Sequence, residues 1–159
     1  MERKNLPEVL IAEAFKEKGK TLAVAESCTG GLISHRITNI PGSSDYFKGG
    51  VVAYSNDVKT FLLYVSQGIL EKHGAVSSQA AGAMAKGAKN ALDADFAAAI
   101  TGIAGPTGGS AEKPVGLAYI AFASDKDIKT KKILLEGNRE SLKEQFTQAT
   151  LNFILDCTV

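Results

Sequence analysis

Thr21-Leu-Ala-Val-Ala-Glu-Ser-Cys-Thr-Gly-Gly31 is the stretch on which the reading of this chain turns. Its apolar run is too continuous for a half-exposed strand, so Thr21–Ala25 is expected to be an internal one. Leu32 then opens an apolar helical pattern that lasts to Asn39. A strand that turns tightly into a helix leaves a hydroxyl on the turn, facing unpaired backbone N–H groups at the helix N-terminus. Two uses follow for Ser27, Cys28, Thr29, Gly30 and Gly31: a serine nucleophile with an oxyanion hole, or a cradle for a bound anion.

Before this stretch, Asn5 is placed to cap a helix with Pro7 in its first turn. Leu10, Ile11, Ala14 and Phe15 form its apolar face, and Gly19 ends it. After it, Ile40-Pro41-Gly42-Ser43-Ser44 breaks regular structure, and Tyr46–Tyr54 reads as a second strand with a bulge or close backbone approach at Gly49-Gly50. Ser55 or Asn56 caps a short helix containing Lys59, and Gln67–His73 forms another, closed by Gly74. Ser77 or Ser78 starts a helix to Leu92, so rich in alanine and glycine that it should pack closely on a sheet. Phe96–Ile100 reads as a third strand, Val115–Ser124 as a fourth and Lys129–Glu136 as a fifth, with Asp125-Lys126-Asp127 as a hairpin-like turn. Asn138 caps a last helix to about Cys157, with Leu142, Phe146, Ala149, Phe153 and Ile154 as its core stripe. The order predicts a three-layer α/β/α sandwich with a mixed, mostly parallel sheet.

At 159 residues the whole chain, 1–159, is expected to form a single domain with a substantial core. A net charge of +1 provides no global field for nucleic acid or membrane, so neither is an expected partner. Two cysteines are too few for a disulfide framework, and the first residues hold no apolar signal core. These features predict a cytoplasmic protein. No apolar run approaches the roughly 18–20 residues that span a bilayer. His35 and His73 stand far apart, outside any ligand spacing, so no metal is expected.

The absence of a suitably placed histidine also bears on Ser27, because a serine nucleophile then needs another base. A lysine serves if burial depresses its pKa, and moving it from ~10.4 to near neutrality corresponds to ~4 kcal/mol. Most lysines here lie in polar runs. Lys59 instead follows Tyr54 at the C-terminal end of a predicted strand, where ligand sites of open α/β sheets gather. Its plainer reading is a surface helix residue, just as Ser27 alone reads as a helix cap. Thr101-Gly-Ile-Ala-Gly-Pro-Thr-Gly-Gly109 reads either as a phosphate-cradling loop or as a turn-rich connection without the usual phosphate-loop signatures. Arg139 is a surface arginine or a bidentate anion ligand.

Four separated motifs add what spacing cannot. Ala25–Gly31, Gly49–Asn56 with Lys59, His73–Ser77, and Thr101–Pro106 with Glu112–Gly116 together resemble the CinA C-terminal domain family, over roughly residues 5 to 157. The family includes stand-alone nicotinamide-nucleotide amidases. The resemblance implies hydrolysis of the carboxamide of nicotinamide mononucleotide to nicotinate mononucleotide and ammonia, without a cofactor. It implies Ser27 as nucleophile, Lys59 as general base, and Tyr54 orienting or polarising the pair. Cys28, Thr29 and Gly30 then carry the oxyanion, while Thr101, Gly102, Gly105 and Arg139 contact a small nucleotide substrate. At Thr107 many relatives carry an acidic residue. Relatives often carry a long amino-terminal domain ahead of this one, so activity is expected to be complete in the single domain or in a homo-oligomer of it. The competing expectations are a non-catalytic nucleotide-binding or regulatory module, and a structural oligomerisation domain.

Overall fold

The computed structural model describes residues 5–158. The chain runs α1 (Pro7–Lys18), β1 (Leu22–Glu26), α2 (Leu32–Thr38), β2 (Phe47–Val52), α3 (Asn56–Leu63), α4 (Gln67–His73), α5 (Ser78–Ala91), β3 (Phe96–Gly102), β4 (Leu117–Ala123), β5 (Ile128–Leu134) and α6 (Arg139–Thr158). One mixed sheet has the order β2-β1-β3-β4-β5. β1 pairs in parallel with both β2 and β3, whereas β4 is antiparallel to β3 and to β5. The expected late hairpin is therefore present, and antiparallel pairing extends one strand further inward to β3.

Strand alternation splits the core into two unlike halves. Leu22, Val24, Ile100, Ile120 and Phe122 point to one face, where α1, α2 and α6 cover them. Phe15, Tyr46, Phe96 and Phe122 meet there in a chain of ring contacts, from the stacked Phe96–Phe122 pair at 5.4 Å to the edge-on Phe15–Phe96 pair at 5.9 Å. The other face carries Ala23, Ala25, Ala97, Ala99, Ala121 and Ala123. Against it lies α5, which buries Ala80, Ala81, Gly82, Met84, Ala85, Gly87 and Ala88. Small residues on both surfaces let that helix approach the sheet closely, as its composition predicts.

Two features at the first helix differ from the sequence reading. Leu6 is the N-cap of α1, not Asn5, and no side chain caps it. The inward face is Pro7, Glu8, Ile11, Ala12 and Phe15, whereas Leu10 is exposed. The reason is a buried charge: Glu8 takes the Arg36 guanidinium in two bonds of 3.1 and 2.6 Å, and Gln148 accepts a third at 2.9 Å. The stripe of α6 likewise admits Thr147 and Thr150, with Ala149 only partly buried, because both hydroxyls donate back to carbonyls of their own helix.

β2 is an edge strand, and its pairing with β1 slips between Leu22 and Ala23, so the bulge falls at Lys48, just before Gly49. Gly50 is the close approach: a Cβ there would lie 2.2 Å from Ser34 Oγ on α2. α4 and α5 begin on serine caps, Ser66 accepting from Ile69 N–H and Ser77 from Ala80 N–H. The C-terminal ends of β1, β2 and β3 share one edge of the sheet. The chain leaves β1 for β2 on one side, with α2 on one face, then crosses back to β3 through α3, α4 and α5 on the other face. Such a reversal opens a crevice at the strand ends.

Candidate active site

Ser27 follows the last residue of β1 and is held there by its own N–H, which donates to Ile100 O of β3 at 3.2 Å. Lys59 stands one turn into α3. Ser55 caps that helix, accepting from Val58 N–H at 3.3 Å, and the Lys59 side chain turns inward until only 2% of the residue is exposed. Its Nζ lies 3.0 Å from Ser27 Oγ, 2.9 Å from Ala53 O and 3.3 Å from Tyr54 O. Among the described residues no carboxylate pairs with it, and burial holds its pKa below the ordinary lysine range. Nζ has three oxygen neighbours, so a neutral amine can give its two N–H bonds to the carbonyls and keep its lone pair for the serine hydroxyl.

The turn itself differs from the open cradle that strand and helix alone suggest. Glu26, fully buried, sends its carboxylate into the N-terminus of α2. Oε1 accepts from Thr29 Oγ1 at 2.6 Å and Ile33 N at 2.9 Å, and Oε2 from Ser34 N at 3.0 Å and Ser34 Oγ at 2.8 Å. The anion site at this helix is therefore filled by the chain's own glutamate. Left over are the amides of Cys28 and Thr29, which donate to no acceptor among the described residues. Gly30 and Gly31, at φ of +60° and +103°, give the turn a left-handed path that a side chain would strain.

Ser27, Cys28, Tyr54, Lys59, Thr101, Gly102, Gly105 and Arg139 all line one cleft of about 260 Å³, with Thr107 beside them. Their roles divide. Cys28 faces the core, and burial pushes its thiol up to about 12, with the Glu26 carboxylate adding to the rise. It is a packing residue, and Cys28→Ala is expected to keep full turnover; iodoacetamide at pH 8 should leave native activity intact, as a residual-activity assay would show. Thr29 is buried on Glu26 and does not reach the cleft. Gly30 also lies outside the lining. Thr101 spends its hydroxyl on Ala75 O at 2.8 Å, which ties β3 to the segment ahead of α5. Gly102 is a packing requirement, since a Cβ would come within 2.6 Å of Ala118 Cβ.

Tyr54 meets the pair through its backbone carbonyl. Its phenol instead accepts from Arg139 at 2.9 Å, and the same guanidinium donates to Gly105 O at 2.7 Å. Arg139 thereby joins three segments around the cleft mouth. Sequence reading passed over Glu26, the Ala53 carbonyl, and Asn56 and Val76 in the lining. Glu26 did leave a signal: it is the one charged residue between Thr21 and Leu32. The histidines stay apart from the cleft, and no group of three or more His, Cys, Asp or Glu able to hold a metal occurs among the described residues. No helix there is long and apolar enough to cross a membrane.

Fold and site together define a three-layer α/β/α domain with a buried serine and lysine in contact at the C-terminal edge of its parallel strands. The chain belongs to the CinA C-terminal domain family, whose sequence profile matches residues 5–158. It is 54% identical over 131 residues to a protein of Moorella thermoacetica named for competence-damage induction, covering 82% of this chain and 32% of that one. A CinA-like protein of Geotalea uraniireducens is 52% identical, again over 32% of its length, so the chain spans about a third of these relatives. Among crystal structures, the competence/damage inducible protein CihA of Agrobacterium tumefaciens superposes with a TM-score of 0.91 at 39% identity, covering 94% of this chain and 92% of that one. A CinA superfamily protein of Escherichia coli gives 0.91 at 30% identity, over 96% and 88% of the two chains.

Proposed function

We propose that the domain hydrolyses the carboxamide of nicotinamide mononucleotide, releasing ammonia and nicotinate mononucleotide. The observation that carries this reading is the 3.0 Å approach of a buried Lys59 amine to Ser27 Oγ. Lys59 takes the Ser27 proton as Oγ bonds to the amide carbon. The oxyanion that forms is stabilised by the free amide of Cys28, the residue of the turn that lines the cleft beside Ser27. On collapse the C–N bond breaks, the Lys59 ammonium protonates the departing nitrogen, and ammonia leaves an ester on Ser27. Lys59, neutral again, then activates the water that hydrolyses this ester.

The cleft lining supports the substrate class. It holds the Arg139 guanidinium and no carboxylate, so an anionic ligand fits it. Arg139 is the residue for the phosphate, and Arg139→Ala is expected to raise KM by about tenfold or more with a smaller change in kcat. Steady-state kinetics on nicotinamide mononucleotide checks this. The non-catalytic binding module would use the α2 N-terminus as its anion nest, and Glu26 already occupies that position. The deciding experiment is an ammonia-release assay on nicotinamide mononucleotide. No release by the wild-type protein overturns the proposal.

A further inference from the structure

The mechanism leaves unused a fully buried carboxylate, Glu26, that lies beside the nucleophile. Glu26 is the point where three parts of the site are joined. Its carboxylate binds the turn hydroxyl of Thr29 and the first amides of α2, so Ser27 to Gly31 is closed into a loop fastened at both ends. Its backbone carbonyl accepts from Ala53 N–H at 2.8 Å, and the next atoms along, Ala53 O and Tyr54 O, are the two acceptors that hold Lys59. Nucleophile and base come from elements 32 residues apart, yet both are referenced to this residue.

We propose that Glu26 is a positioning residue for the Ser27–Lys59 pair: by taking the α2 N-terminus with its own carboxylate, it fixes Ser27 Oγ against Lys59 and leaves the Cys28 amide free for the oxyanion. Both carboxylate oxygens are saturated by donors, which glutamine cannot reproduce. An amide nitrogen in place of Oε2 would face Ser34 N–H, donor against donor. The turn must then rearrange while the cleft walls that bind the rest of the substrate stay in place. This inference rests on the amidase reading for its kinetic test.

The test compares Glu26→Gln with the milder Ser34→Ala, which removes one of the four bonds. Kinetics on nicotinamide mononucleotide are measured at a temperature where circular dichroism shows each variant folded. Glu26→Gln is expected to lower kcat by about 100-fold with KM within about twofold, and Ser34→Ala to lower kcat by about three- to tenfold. A second readout is the rate at which a fluorophosphonate captures Ser27, which should fall in the same order. A folded Glu26→Gln with unchanged kcat, or one that changes KM alone, overturns the inference. If Glu26→Gln does not fold, an unchanged kcat in Ser34→Ala overturns it. Should the wild type release no ammonia, the amidase reading fails, while the capture rates still decide whether Glu26 positions Ser27.

Discussion

Lys59→Ala is expected to reduce ammonia release by about 10³- to 10⁴-fold, and Ser27→Ala by at least as much, with both variants folded. The two losses should not add: the residues act as one unit, so the double variant should be hardly slower than either single one. Near-wild-type turnover in either variant would sink the serine–lysine mechanism. The pH profile is a separate check. Lys59 must be neutral to accept the serine proton, so kcat/KM should rise with pH through the Lys59 pKa, and burial places that midpoint below the usual lysine range. Lys59→Arg, charged at every accessible pH, should be inactive throughout. The sign for stability follows from the same shift. Between the depressed folded pKa and ~10.4 the unfolded chain binds more protons, so stability rises with pH across that window. Urea unfolding of the wild type against Lys59→Met would isolate the effect.

Gly87→Ala is expected to destabilise the protein by about 1–3 kcal/mol and to remove most of its activity, although Gly87 lies outside the cleft. A Cβ at this position of α5 would come within 2.0 Å of Leu63 O and 2.7 Å of Leu63 C, backbone atoms at the end of α3 that have no rotamer to change. The helix carrying Lys59 must move instead. Gly68→Ala provides the contrast: its Cβ meets only Ser66 Oγ at 3.9 Å, and in a helix the substitution should stabilise by up to about 1 kcal/mol. Thermal melts of both variants, with ammonia release beside them, measure the difference.

Much of this arrangement was legible in the sequence where the cause is local. The boundaries of α4 matched because Ser66 and Gly74 are strong start and stop signals, and β1 matched because its apolar run admits only an internal strand. The face of α1 did not match, since a buried Glu8 is compatible only with an Arg36 brought to it by another helix. The site divides in the same way. Ser27 and Lys59 stood out as residue types at strand ends, but their contact depends on β1 and β2 being neighbours in register, which nothing near either residue encodes. Tyr54 was assigned to the pair by resemblance, yet its hydroxyl belongs to Arg139 and only its carbonyl reaches Lys59. Glu26 carries no role in the sequence reading, because the approach of its carboxylate to α2 is set by the left-handed glycines of the turn.

The alanine face of the sheet has a consequence for how this site tolerates change. Six alanines on three strands meet the small-residue surface of α5, and α3 rests on α5 at Gly87. The position of Lys59 relative to Ser27 is thus the end of a stack of thin parts, each with almost no slack. A thick core of leucines could absorb an added methyl by shifting rotamers, but alanine and glycine have none to shift. Errors of a few tenths of an ångström would therefore accumulate along the stack and arrive undiminished at the serine. The face that looks chemically blandest is the gauge that sets the working distance of the reaction.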